Sequence, residues 1–165
     1  MQESEYSQIP GLSEVMSKRF QIIDEAIDEG YLERPKTQVL NTYLWYANFK
    51  GEYKREAFGV NFSWGAFFLG AFWYVHFGLL KEALLIGLIC SIFIGFIPPN
   101  VTFPSVVSGI IYALCFTGTR YAKYKLTGFL SPGGNVFLTI LKTIGLLIVI
   151  TIPSILINAI LYGLE

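Results

Sequence analysis

The period of the apolar residues changes along this chain. Between Glu14 and Glu29 they recur every three or four positions, at Met16, Phe20, Ile23 and Ile27. That period predicts an amphipathic helix with one buried stripe. Ser13 stands where an N-cap is needed and Gly30 where a helix stops, after a break at Pro10-Gly11. A second amphipathic helix is predicted after Pro35, from Thr37 to about Lys50, with Val39, Leu40, Tyr43, Leu44 and Ala47 on its apolar face. From Phe62 onward the alternation gives way to long apolar runs.

The first run, 62–78, is crowded with Phe62, Trp64, Phe67, Phe68, Phe72, Trp73, Tyr74 and Phe77. The second, 79–97, is apolar apart from Lys81 and Glu82 and is closed by Pro98, Pro99 and Asn100. A third runs from 104 to about 119 and meets Arg120, Lys123 and Lys125; Ser131-Pro132-Gly133-Gly134 then reads as a turn before a fourth, 136–161, interrupted by Lys142 and Pro153. About 20 apolar residues are needed to cross a bilayer. The expected fold is therefore an all-α integral membrane protein: a cytoplasmic helical region over 1–60, then a membrane domain over 61–165.

Positive charge decides the number of crossings. If 62–78 lies in the interface or re-enters, the spans are about 79–97, 104–119 and 136–161. The uncharged 97–103 loop then faces outward, and R-Y-A-K-Y-K becomes a cytoplasmic loop, as the positive-inside rule asks. With 62–78 as a fourth span, Lys81 and the basic segment would face outward. Three spans are expected, with four as the alternative. Trp64, Trp73, Tyr74, Arg120, Tyr121, Lys123, Tyr124 and Lys125 are expected at the membrane–water interface.

Small residues recur every four positions on two of these runs: Ala83, Gly87, Ser91 and Gly95, then Ser105, Gly109, Ala113 and Thr117. Positions i and i+4 share a helix face, so each run carries a groove through which another helix can approach closely. The two grooves are expected to face each other, with a homodimer face as the competitor.

Composition agrees with a bilayer. Hydrophobic residues make up 53% of the chain, charged residues 15%, and mean hydropathy is +0.52. Residues 1–61 hold ten acids and seven bases, against two and five in the remainder. That distribution leaves no dense basic patch for nucleic acid. Asp24, Glu25, Asp28 and Glu29 cluster at the end of the first helix, as a solvated face or a docking site for a basic partner. The N-terminal M-Q-E-S-E-Y-S-Q has no basic start followed by an apolar core, so no cleaved signal peptide is expected. Cys90 and Cys115 lie in apolar runs and read as small hydrophobes. His76 is the one histidine and has no partner at metal-ligand spacing, so neither a metal nor a cofactor is expected. No nucleophile elbow, phosphate loop or dinucleotide fingerprint occurs. Thr151, Ser154 and Asn158 give the last run a polar face near Pro153, for packing or for lining a path.

The stretch F-S-W-G-A-F-F-L-G-A-F-W-Y-V, followed by Leu79-Leu80 and K-E-A-L, resembles the core of a family of small bacterial inner-membrane proteins whose domain has no assigned function. The family pattern is F-N-W-x-A-F-F-F-G-P-x-W, and Phe62, Trp64, Ala66, Phe67, Phe68, Gly70 and Trp73 fall on it. Ala71 replaces the usual proline, which predicts a weaker helix break after Gly70. His76 and Phe77 replace a common basic anchor. The resemblance implies a bacterial cytoplasmic membrane location and no activity.

The expected function is a non-catalytic, multi-pass membrane module with its N-terminus in the cytoplasm. It would bind or organise membrane components, its partners being the lipid bilayer and a membrane protein or a second copy. A small transporter or channel component is the alternative, and an enzyme is not expected.

Overall fold

The computed structural model describes residues 5–34, 50–98 and 103–163. These form helices joined by turns, with no strand among the described residues. The expected helix from Thr37 lies outside them, Lys50 excepted, as does most of the turn after Pro98. Contacts divide the chain into two compact units, Met1–Trp64 with Ala113–Gly133, and Gly65–Tyr112 with Gly134–Glu165. One edge of this division lies near the expected boundary after residue 60, and residues 113–133 belong with the N-terminal region.

In the first unit, α1 spans Glu14–Asp28, and the Ser13 side chain accepts from the Met16 N–H at 3.3 Å. Gly30, at φ +79°, ends it, while the Tyr31 N–H returns to the Ala26 carbonyl at 2.8 Å. The stripe at Met16, Phe20, Ile23 and Ile27 is buried. Phe20 lies edge-on to Tyr121 at 5.2 Å and to Tyr6 at 5.5 Å. A short helix, α2 (Ala57–Asn61), ends in a wholly buried Asn61, whose amide donates to the Ala57 carbonyl at 2.8 Å.

The next helices are α3 (Trp64–Leu69), α4 (Ala71–His76), α5 (Leu80–Gly95), α6 (Pro104–Thr127) and α7 (Val136–Tyr162). Gly70, at φ +47°, separates α3 from α4. The break thus needs no proline at 71, since glycine adopts a conformation that side-chain-bearing residues avoid. Helix α6 continues well past the expected end near 119. The R-Y-A-K-Y-K segment forms its last turns instead of a loop, because no helix breaker intervenes before Gly128, at φ +68°.

In the second unit, Asn135 caps α7 by accepting from the Phe137 and Leu138 N–H groups at 2.9 and 3.3 Å. Among the described residues α7 is the one helix long and apolar enough to cross a membrane. Its apolar side chains point outward, with Phe137 76% and Ile160 80% exposed. The 16 residues of α5 cover about 24 Å, short of a hydrocarbon core of roughly 30 Å, and α6 carries three bases. Of the three segments expected to span, length and composition support α7 alone.

Candidate functional site

A cavity of about 440 Å³ opens in the second unit, between the α3–α4 break, α5, the first turns of α6 and the middle of α7. This is the size of a small-molecule site. Its apolar wall includes Phe67, Phe68, Ile94, Leu147 and Ile150, and its polar wall consists of Ser91, Ser105, Ser108, Tyr112, Thr151 and Ser154. Among the described residues no charged one lines it. A second space of about 330 Å³ shares Cys90, Ile94 and Ser108 with the first and is otherwise closed by apolar residues of α5, α6 and the segments at their ends.

Two tyrosines hold the frame. The wholly buried Tyr74 of α4 donates to the Tyr112 carbonyl at 3.0 Å, and Tyr112 of α6 donates to the Ala83 carbonyl of α5, also at 3.0 Å. Across the cavity, Ser91 of α5 accepts from the Ser154 N–H of α7 at 3.1 Å, next to Pro153. A proline inside a helix leaves one backbone carbonyl without its usual donor and loosens the turn. Ser91 therefore meets α7 where its own ladder is interrupted.

The small-residue stripe of α5 is buried at Ala83, Gly87, Ser91 and Gly95, and it faces α7. A Cβ on Gly87 would lie 2.9 Å from the end of Ile150, and one on Gly95 would lie 2.8 Å from Ile157 Cβ. The stripe of α6 faces elsewhere. A Cβ on Gly109 would approach the Phe67 carbonyl to 3.0 Å, while Ser105 is exposed. In the first unit, the Ala113 carbonyl accepts from the Ser63 N–H and the Thr117 hydroxyl donates to the Asn61 carbonyl, each at 3.1 Å. The grooves therefore do not face each other as expected. Each takes a different neighbour, because the chain at 61–67 occupies the α6 stripe.

Of the expected interface residues, Trp64 is 65% exposed, but Trp73 is half-buried and Tyr74 wholly buried. Arg120 and Tyr121 are buried in the first unit, Lys123 and Tyr124 are half-buried, and Lys125 is exposed. Asp24 explains much of this. It accepts hydrogen bonds from the hydroxyls of Tyr6 and Tyr121, and Lys125 Nζ bridges to it at 2.9 Å. The basic partner considered for the acidic end of α1 is, at Asp24, a lysine of the same chain. Lys125 also stands over the rings of Tyr6 and Tyr121, at 5.3 and 5.4 Å.

Arg120 Nη2 donates to the Gly11 carbonyl at 3.3 Å and to the Ser131 carbonyl at 3.5 Å. Burial pulls its guanidinium down to about 10. Burial likewise lowers Arg19, which donates to the Thr117 hydroxyl at 3.3 Å. Tyr121 moves above the usual phenol range, first through burial and then through its bond to Asp24 and that carboxylate's charge.

His76 is half-buried, with its ring parallel to Phe72 at 6.2 Å, and its backbone carbonyl accepts from the Gly134 N–H at 2.7 Å. Among the described residues no three of His, Cys, Asp and Glu converge to hold a metal ion. The polar wall of the cavity was visible in sequence only at Thr151 and Ser154. Ser91 and Ser105 read as packing residues there, Ser108 and Tyr112 carried no signal, and their convergence depends on the tertiary fold. Comparison of the chain with protein-family models, with curated proteins and with solved structures gives no match in any of the three.

Proposed function

We propose that this protein is a non-catalytic, multi-pass membrane module that binds a membrane component in the cavity of its second unit. The observation that carries the reading is α7, 27 residues long and apolar on its exposed side chains apart from Lys142 and Thr151. Such a surface stays out of water in a bilayer at no cost in unsatisfied backbone groups.

Three crossings with a cytoplasmic N-terminus fit the first unit best. The bond from Arg120 to the Gly11 carbonyl supports a topology in which residues 11 and 120 share one side of the membrane. That requires an even number of crossings between them, which α5 and the start of α6 supply and a further span over 62–78 would spoil. Both are short for the purpose, and a locally thinned bilayer would accommodate them. The bacterial cytoplasmic membrane is the location suggested by the aromatic motif at 62–73.

Alkaline carbonate extraction of native membranes, followed by native mass spectrometry in mild detergent, tests this. An integral protein that retains a lipid, a partner or a second copy supports the reading. Release by carbonate contradicts it.

A second reading, as a transporter component, is favoured by Glu82, a carboxyl-bearing residue only 5% exposed in the first turn of α5. Ionisable groups buried among spans mark ion and substrate paths. Solute flux in liposomes that disappears in Glu82→Gln would favour it over simple binding.

A further inference from the structure

Three hydroxyls of the cavity are oriented by the backbone. Ser108 donates to the Ser105 carbonyl at 2.8 Å, Thr151 to the Ile148 carbonyl at 3.0 Å and Ser154 to the Thr151 carbonyl at 2.8 Å. A hydroxyl has one hydrogen and two lone pairs. With each hydrogen given to a carbonyl, these three side chains offer acceptor oxygens to whatever enters. The complementary ligand brings hydrogens.

Charge narrows the choice. A phosphate or carboxylate would meet oxygen lone pairs with no cation among the described lining residues to offset its desolvation. A cation would find no carboxylate. The ligand head is therefore uncharged and carries hydroxyl groups. The adjoining space narrows it again, since Phe93, Phe103 and Val107 give it walls suited to hydrocarbon. A free sugar or polyol would leave that space unfilled, whereas a head joined to an acyl chain occupies both spaces across their shared edge at Cys90, Ile94 and Ser108.

We infer that the second unit binds a neutral acylglycerol, a diacylglycerol or monoacylglycerol. A free hydroxyl of the glycerol donates to one of the oxygens of Ser108, Thr151 and Ser154, and one acyl chain lies in the apolar space. This rests on the proposal that the protein resides in a membrane, and it names the component bound there.

The test uses the full chain in mild detergent, offered dioleoylglycerol and dioleoylphosphatidylglycerol at equal mole fraction and read by native mass spectrometry. The expected result is one dioleoylglycerol per chain, retained about tenfold over the anionic lipid. In the combined variant Ser108→Ala, Thr151→Val, Ser154→Ala, retention falls about tenfold with helicity and melting close to the parent. Should that variant unfold, Ser108→Phe, which fills the shared edge, replaces it, and loss of retention in a folded Ser108→Phe supports the inference. Equal retention of the two lipids, or retention unchanged in a folded variant, overturns it. Carbonate extraction separates the two levels. Release of the protein refutes the membrane reading itself, whereas an integral protein with no bound dioleoylglycerol refutes only the choice of ligand.

Discussion

The Tyr112 hydroxyl donates to the Ala83 carbonyl at 3.0 Å, joining α6 to α5 inside the second unit. Tyr112 is itself tied to α4, since its own carbonyl accepts from Tyr74. Tyr112→Phe keeps the ring, which lies 5.3 Å from that of Tyr74, and removes only the hydroxyl. The expected loss is about 1 kcal/mol, the net worth of one buried hydrogen bond. Thermal melting in detergent measures it, and an unchanged midpoint would mean that the bond contributes nothing.

Gly95 and Gly87 are both contact points for α7, but with unequal freedom behind them. A Cβ on Gly95 meets Ile157 Cβ and, at 3.1 Å, Ser154 Cα, atoms that move only with the backbone. A Cβ on Gly87 meets side-chain atoms alone, two methyls of Ile150 and the Tyr112 hydroxyl, which can shift without the backbone. Gly95→Ala should therefore cost about 1–3 kcal/mol and Gly87→Ala less. Paired melts decide the order, and the reverse order would contradict the packing described.

Tyr121 gives the first unit an alkaline limit. Its folded pKa is raised above the ordinary phenol value of 10.0, so the folded state holds this proton more tightly. The resulting stability is complete below pH 10 and is lost as pH rises above it. Arg120 acts in the opposite sense. Its pKa is lowered to about 10, so the unfolded state binds more protons above about 10, and stability from this group rises with pH there. Comparing the parent with Tyr121→Phe cancels the arginine. The parent should lose its advantage over Tyr121→Phe progressively above pH 10, and a constant difference in melting midpoint would refute the assignment.

Arg120→Gln shortens the reach to the Gly11 and Ser131 carbonyls. The expected local loss is about 1–3 kcal/mol, because two carbonyls lose a charged donor in a buried setting. Limited proteolysis near Gly11 should accelerate accordingly. Cleavage at the parent rate would show that the loop is held by other contacts.

Local signals in the sequence were dependable. Ser13, Gly30 and the stripe from Met16 to Ile27 place α1 correctly, because capping and period are properties of neighbouring residues. Gly70 marked a break whose strength was underestimated by attending to the missing proline. What the sequence concealed was partnership at a distance. Arg120, Tyr121 and Lys125 look like membrane anchors when read along the chain, since bases and tyrosines are common at headgroups. Asp24 and Gly11, roughly a hundred positions away, use them instead. The two small-residue stripes were equally legible as packing surfaces, but periodicity carries no information about which neighbour fills each groove.

The first unit is assembled from two stretches separated by most of the second, and that separation governs the order in which it can form. While a ribosome is still making residues 65–112, α1 exists without Phe116, Tyr121 and Ala122, the α6 side chains that complete its core. Its apolar stripe must wait for the return of the chain. A nascent chain stopped before residue 113 would thus expose Phe20 and Ile23 to water. The last turns of α6 set the moment at which the N-terminal region acquires its structure.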